Sequence, residues 1–413
     1  MAFIHKGSRI TTFIVLVFSF SSIFQLFGLN IGIWWGLWAI VVALFFIKRD
    51  LFIVQDQEKY VWVVWVYFGW NVLSIIRGFF IAENYWESKT LVNSSLIMLL
   101  PLSILVTQGK YFGQQFFRFY LRYALPIFFV LFFFMRPDMV GYYLAPISVI
   151  ILFFRSISYK WKVILIIFSG AVFFSDLNAR SNIIKFLLPY ILIIIFSFGM
   201  FRKKFFLNSV RLVCMFLPFA LIFLYFSFGF NFFDFKKYVS GDYEVETTDG
   251  KVSLLTDTRT GLYIEVINSA IENDYLIAGR SPARGYTSKS FGNTIGKEIG
   301  STKKERYGSE VSVLNIVTWT GVVGVLLYFL IFYAGSYLAI NASNNIYSKI
   351  IGIYLSFRWL YAWVEDFSRF DLFQICLWLL IGICFSKDFR KATDAQFEFW
   401  IKSIFSRRLV VFN

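Results

Sequence analysis

The chain has 413 residues, 58% of them hydrophobic and 22% aromatic, with only 16% charged. A soluble globular domain carries about 25% charged residues, so a soluble fold is excluded and an all-α polytopic membrane protein is expected. The net charge of +15 falls mainly in short connectors between apolar runs, where it sets membrane orientation and does not imply nucleic-acid binding.

The N-terminus, MAFIHKGSRITTFIVLVFSFSSIFQLF, has the basic start and apolar stretch of a signal peptide. The stretch is long and no small-residue cleavage site follows, so it reads as a first membrane helix. A helix needs about 20 residues to cross the hydrocarbon core, fewer with tilt or snorkelling ends. On that basis spans are predicted near 10–28, 31–47, 60–77, 91–107, 119–135, 140–154, 162–175, 182–200, 211–230, 311–334, 346–362 and 372–386, about twelve in all. Pro101, Pro126, Pro146, Pro189 and Pro218 lie in or beside them, where neighbouring helices can satisfy the freed carbonyls. No internal repeat relates the two halves, which weighs against a transporter.

One set of connectors holds Lys6, Arg9, Lys48, Arg49, Lys59, Lys110, Arg118, Arg122, Arg155, Lys160, Lys162, Arg202, Lys203, Lys204, Arg211, Lys349 and the basic tail 387–413. The alternate connectors hold little beyond Arg77, Lys89, Arg136, Arg180 and Arg369. Both termini are therefore expected in the cytoplasm. The chain divides into helices over 1–230, a long extracytoplasmic loop over 231–310, three more helices over 311–386, and the tail.

Cys214, Cys376 and Cys384 lie within apolar runs without CxxC spacing and read as small buried hydrophobes. His5 is the only histidine, which excludes histidine zinc sites and Ser-His-Asp hydrolysis. No DxD metal motif or nucleotide-binding loop is present, so no metal or cofactor is expected.

The long loop carries the polar chemistry. From Thr258 to about Ala278, Leu262, Tyr263, Val266, Ile267, Ala270, Ile271 and Tyr275 recur at helical spacing. The pattern predicts an amphipathic helix, capped by Asp257 or Thr258 and ended by Gly279, lying on the membrane or on the outer ends of the spans. Arg259 in its first turn is either a surface arginine or an anion ligand acting with the helix N-H groups. Arg280 and Arg284 flank Pro282 in GRSPARGY; paired guanidinium groups there can fork onto phosphate, and a bland basic turn is the alternative. Lys289, Lys297, Lys303, Lys304 and Arg306 follow in a segment that reads as mobile and solvated.

Glu310 is the last acid before a long apolar run. At the membrane surface a partly desolvated carboxylate should rise in pKa toward that of a useful base; a helix-start carboxylate is the alternative. Arg180 sits in an outer connector, FFSDLNARSN, beside Asp176. The last outer connector, AWVEDFSRFD, brings Glu365, Asp366, Arg369 and Asp371 to the same face, with Arg358 inside the preceding span. An intramembrane arginine should face a cavity or a partner. Asp366 is the expected partner, and Glu365 or Asp366 is the reserve base.

With these motifs the chain resembles the O-antigen polymerase (Wzy) and O-antigen ligase superfamily. The resemblance rests on many spans with one long outer loop before the last few, and on SDLNARSN, DTRTGLY, AGRSPARGY and SEVSVLNIVTWTGVVG. It implies a GT-C-like, metal-independent, inverting glycosyltransferase of the bacterial cytoplasmic membrane. Its donor and acceptor would be undecaprenyl-diphosphate-linked oligosaccharides, and a chain-length regulator and a flippase would be its partners. Carried over, Arg180, Arg259 and Arg280 or Arg284 bind the diphosphate and Glu310 is the base. The ligase branch has a histidine where this chain has Glu310, which favours polymerase over ligase. A lipid-linked oligosaccharide flippase, which would line its midplane with charges such as Arg358 and Lys185, and a structural scaffold are the alternatives from other classes.

Overall fold

Long apolar runs with no water to bond their backbone must satisfy it internally, which leads to helices. A computed structural model describes residues 2–47, 59–176, 180–233, 244–247, 250–253, 259–292 and 303–406. It is mostly helical. The helices are α1 (Ala2–Ser21), α2 (Ile31–Ile47), α3 (Trp62–Ile81), α4 (Tyr85–Met98), α5 (Ile104–Thr107), α6 (Lys110–Phe119), α7 (Leu125–Leu131), α8 (Pro137–Tyr143), α9 (Ala145–Ile151), α10 (Tyr159–Ser175), α11 (Arg180–Ile195) and α12 (Lys204–Phe228). After them come α13 (Thr260–Glu272) in the loop, then α14 (Ser312–Asn341), α15 (Ile346–Tyr361), α16 (Leu372–Phe385), α17 (Lys387–Lys391) and α18 (Asp394–Phe405). Two small antiparallel hairpins complete the loop: β1 (Glu244–Thr247) with β2 (Gly250–Ser253), and β3 (Tyr286–Thr287) with β4 (Glu305–Arg306).

Every predicted span falls on a helix or on abutting helices. Among the described residues, five helical runs are long and apolar enough to cross a membrane: Lys59–Ile81, Tyr85–Thr107, Lys110–Phe134, Lys204–Phe228 and Ser312–Asn341. The chain is an all-α membrane protein. Ser8–Ser21, Ile31–Ile47 and Leu372–Phe385 are shorter apolar helices. Cys376 and Cys384 are buried, Cys214 is half-buried, and all three are free.

The middle of the bundle is α14 packed on α3, α15 and α16. All of α16 is buried, which is why its sequence is apolar on every face. By contrast α12 turns Leu212, Val213, Phe216 and Phe223 outward.

Among the described residues, connectors of the two charge-separated sets bond within their own set. In one, the Trp400 indole donates to the Lys110 carbonyl at 2.9 Å, Asn208 pairs with Asn341 at 2.8 Å, and Asn345 donates to the Phe389 carbonyl at 2.8 Å. In the other, Arg136 donates to Gln25 at 2.8 Å, the Leu372 N-H donates to the Ser22 hydroxyl at 2.9 Å, and Lys303 meets Glu83 at 2.8 Å. The described part of the loop joins this second set through Lys303, and α13 bonds the 362–371 connector through the Tyr263 hydroxyl and the Trp363 carbonyl.

Candidate functional site

The loop helix is shorter than its sequence pattern. Leu262, Val266, Ser269 and Ala270 form the buried stripe of α13, but the helix stops at Glu272 and Asp274 adopts the left-handed region at φ 53°. The expected caps, Asp257 and Thr258, lie outside the described residues, as does Lys297. Tyr275 folds back so that its hydroxyl donates to Ser269 at 2.7 Å, and the chain no longer needs Gly279 to end a helix.

Gly279 serves a different purpose. About two and a half turns into α14 (~3.6 residues per turn) the helix breaks at Gly321, whose φ is +69°. Residues 276–280 dock into the break: Val322 N-H donates to the Leu276 carbonyl at 2.9 Å, Val323 N-H to Ile277 at 3.2 Å, and Arg280 N-H to Thr318 at 2.7 Å. A Cβ on Gly321 would lie 2.1 Å from the Ile277 oxygen, and one on Gly279 would lie 2.4 Å from the Thr320 nitrogen. Two side chains of α3 satisfy carbonyls left open by the break and its insert, Trp70 bonding Thr320 at 2.9 Å and Arg77 bonding Ala278 at 2.8 Å. Irregular backbone among spans is tolerated when it is covered and bonded in this way.

Just past the insert, Arg280 and Arg284 converge on one carboxylate. Arg284 grips Glu305 with two nitrogens, its Nε lying 3.0 Å from Oε2. Arg280 reaches the same group at 3.0 Å and bonds the Gly285 carbonyl at 3.0 Å. Glu87, fully buried on α4, lies 3.8 Å from Arg284 and 2.6 Å from Lys303. The cluster ties hairpin β3–β4 to α4, so the two arginines of GRSPARGY bond protein carboxylates instead of lining an open anion site. The segment read as mobile and solvated is anchored at its far end: Lys303 bonds Glu83 and Glu87, and Arg306 bonds Glu310 and lies over the Phe291 ring at 4.5 Å.

Arg259 occupies a different setting. Its guanidinium bonds Glu310, which also accepts from Arg306 at 3.2 Å. The Glu310 side chain is 57% exposed. Burial alone would raise its pKa, but the hydrogen bonds and charges of Arg259 and Arg306 together hold the carboxyl below its ordinary value. This is opposite to the rise expected from the sequence, because two cations, Arg306 four residues before it and the distant Arg259, outweigh desolvation.

Glu310 is fixed in space by the start of α14. The Ser312 N-H donates to the Glu365 carbonyl at 3.1 Å, the Ser312 hydroxyl accepts from Phe367 N-H at 2.6 Å, and Asn315 bridges the Ser309 backbone to Asp366 at 3.2 Å. The connector over 362–371 is thereby stapled to Glu310's neighbours. In it Glu365 pairs with buried Lys185 of α11 at 3.3 Å. Burial, opposed by Arg369 and by the Ser368 N-H at 2.7 Å, raises the pKa of Asp366. The pairing expected between Asp366 and Arg358 is replaced: Asp366 is held by Asn315, Ser368 and Arg369, and buried Arg358 lies over the Phe367 ring at 3.9 Å.

An apolar groove of about 650 Å³ runs between α11, α12, α13 and α15. Tyr225, Phe232, Tyr263, Tyr361 and Trp363 line it, and the Tyr263 hydroxyl ties α13 to the Trp363 carbonyl. Thr260, next to Arg259, also lines it, and Tyr361 is within electrostatic reach of both Arg259 and Glu365. Ile184 lines the groove from α11. Arg180, exposed at the start of that helix, is one turn earlier on the same face. Arg259, bonded to Glu310, thus adjoins the groove through Thr260, Glu365 through Val364 and Arg180 through Ile184, whereas Arg280 and Arg284 belong to the buried cluster.

Sequence reasoning passed over Glu305, Lys185 as a partner of Glu365, and the Gly321 break, and read Arg306 as part of a solvated segment. Two of these left a local sign: the glycines of TWTGVVG inside an apolar run, and Arg306 four residues before Glu310. Compared with protein-family models, characterised proteins and solved structures, the chain matches none.

Proposed function

We propose that this protein is a polysaccharide polymerase. It would join undecaprenyl-diphosphate-linked oligosaccharide repeats on the outer face of the bacterial cytoplasmic membrane, with about twelve spans and both termini inside. The observation that carries the reading is the apolar groove of about 650 Å³ lined by Thr260, the neighbour of Arg259, and by Ile184, one helical turn after Arg180, with Glu310 bonded to Arg259. A polyprenyl chain needs an apolar bed, and its diphosphate needs fixed cations where the chain leaves that bed. In this reading Arg280 and Arg284 hold the loop in shape and Arg259 and Arg180 receive the diphosphate.

The ion pair gives the reaction an order. A donor diphosphate draws Arg259 away from Glu310, and the carboxylate loses a cation that depressed its pKa. Glu310 then takes the proton of an acceptor sugar hydroxyl while that oxygen attacks the anomeric carbon from the side opposite the leaving group. The new C–O bond forms as the bond to the diphosphate breaks. The electron pair leaves with undecaprenyl diphosphate, and the anomeric centre inverts.

The test is polysaccharide length in cells lacking the gene, complemented with wild type or with Glu310→Gln at equal membrane levels. Single-repeat product in the null and the variant, with a ladder restored by wild type, is the expected result. A full ladder from Glu310→Gln would remove the base assignment. Lipid-linked repeats accumulating on the cytoplasmic face of the null would replace the polymerase reading with a flippase.

A further inference from the structure

A second cavity, about 410 Å³, opens among α1, α2, α4, α8 and the 366–371 connector. Its volume is in the range of small-ligand sites (~300–1,000 Å³), and its chemistry differs from that of the groove. Arg136 lies 3.2 Å from Asp138 and Arg369 3.7 Å from Asp366, so each cation of the cavity already faces a carboxylate and neither is held open for a phosphate or a uronate. Among the described residues no three carboxylates are gathered for a metal.

Its polar groups are spread along the wall and retain bonding capacity. Arg136 is braced by Gln25 at 2.8 Å and Asp138 at 3.2 Å, both on the exposed side. Arg369 lies over the Tyr142 ring at 4.9 Å and 3.7 Å from Asp366. The Asn93 carboxamide of α4 lines the cavity and makes no hydrogen bond among the described residues. The apolar part of the wall mixes Ile23, Ile97 and Met139 with the rings of Phe24, Tyr142 and Phe370, the last of them stacked between Phe18 and Trp38 at 4.7 and 4.9 Å. Carboxylates, amides and hydroxyls set around partly aromatic surface suit a ligand with many hydroxyls and apolar ring faces.

The connector between α15 and α16 is the partition. Trp363 and Val364 line the lipid-sized groove, whereas Asp366, Ser368, Arg369 and Asp371 line the polar cavity. Resting on the polymerase reading, we infer that this cavity is the acceptor subsite, that it holds the non-reducing end of the second lipid-linked repeat, and that the sugars held there are uncharged. Donor and acceptor then approach one short connector from its two sides.

The probe is the oligosaccharide released by mild acid from the lipid carrier of cells lacking this gene. Its binding to the full-length protein in nanodiscs is measured for wild type, Asn93→Trp, Asp138→Ala and Arg259→Ala, each checked for an unchanged melting temperature. Asn93→Trp fills the cavity from α4, and Asp138, with a side chain 44% exposed, can be truncated without touching the core. Binding weakened at least tenfold by both cavity substitutions and unchanged by Arg259→Ala is the expected result. No binding to wild type, or equal binding to wild type and both cavity variants, overturns the inference. Polymer ladders from the same variants separate the two failures. A ladder that needs the gene but is indifferent to the cavity removes only the acceptor subsite, and a ladder that persists without the gene removes the polymerase reading itself.

Discussion

Two arginine–carboxylate assemblies stand a short distance apart in the same loop, and their sequences read alike. In one, Arg280, Arg284 and Lys303 surround Glu305 and Glu87, whose side chains are 4% and 0% exposed. In the other, Arg259 and Arg306 hold Glu310, whose side chain is 57% exposed. Removing one member of a buried set leaves a charge that water cannot reach, so such a set behaves as a fastener. An exposed pair exchanges partners at little cost, because water stabilises the separated charges. The difference teaches that exposure of the carboxylate decides which arginine is available to a ligand; arginine type and spacing do not.

The sharpest way to break this comparison is to remove one arginine from each side. Arg259→Ala should lower polymer formation by on the order of 10²–10³, the usual consequence of deleting one charge-stabilising donor, while the melting temperature in detergent stays within the range of a surface pair, about 0–1 kcal/mol. Polymer yield and thermal melting of the same preparation check both halves. An Arg259→Ala protein that melts early and still polymerises would reverse the assignment.

Arg284→Ala should do the opposite. With Glu305 and Glu87 left short of a cation, stability should fall by about 3–5 kcal/mol, seen as a lower melting temperature and as proteolysis of the loop. Arg284→Lys should restore only part of it, since a single ammonium cannot reproduce the two-nitrogen grip on Glu305.

Much of the scaffold was legible and little of this contrast was. Helices announce themselves through apolar runs that have no other way to satisfy their backbone. Apart from Arg306, four residues before Glu310, the partners of the loop cations were hidden because they are far off in the chain. Glu305 is 21 residues from Arg284 and Glu83 is 220 from Lys303, and no local pattern encodes such a distance. Gly279 was misread for the same reason. A glycine after an amphipathic stripe looks like a helix end, but its real neighbours are the Thr320 and Gly321 nitrogens of a helix that is itself broken.

That break offers the next largest effect and sharpens the fastener side. Gly321→Ala places a methyl 2.1 Å from the Ile277 oxygen at a φ of +69°. The backbone strain alone is about 1–3 kcal/mol, and residues 276–280 must leave the break to relieve it. Gly170→Ala in α10, with nothing within 4 Å of its added carbon, is the control and should leave melting unchanged. If the loop reaches the site only because it is anchored in α14, Gly321→Ala should also lose polymer formation with Arg259 and Glu310 intact.

The smallest effect distinguishes the outer face of the loop from both assemblies. Glu265 of α13 accepts from the Ser288 hydroxyl at 2.7 Å and from the Ser290 N-H and hydroxyl at 2.9 and 2.7 Å. Burial would raise its pKa, but these hydrogen bonds outweigh burial and hold it below the ordinary carboxylate value of 4.5. A carboxyl depressed in the folded state contributes stability that is present above its unfolded pKa and is lost as pH falls through the folded one. Bringing the protein from pH 7 to pH 4 should therefore begin to loosen residues 288–290 from α13, by about 1 kcal/mol or less. The measurement is amide protection at Ser290, corrected for the intrinsic exchange rate at each pH. In Glu265→Gln the protection should already be reduced at pH 7 and should not change with pH. Protection in that variant that still falls on acidification would assign the effect to a carboxylate other than Glu265, Glu310 among them.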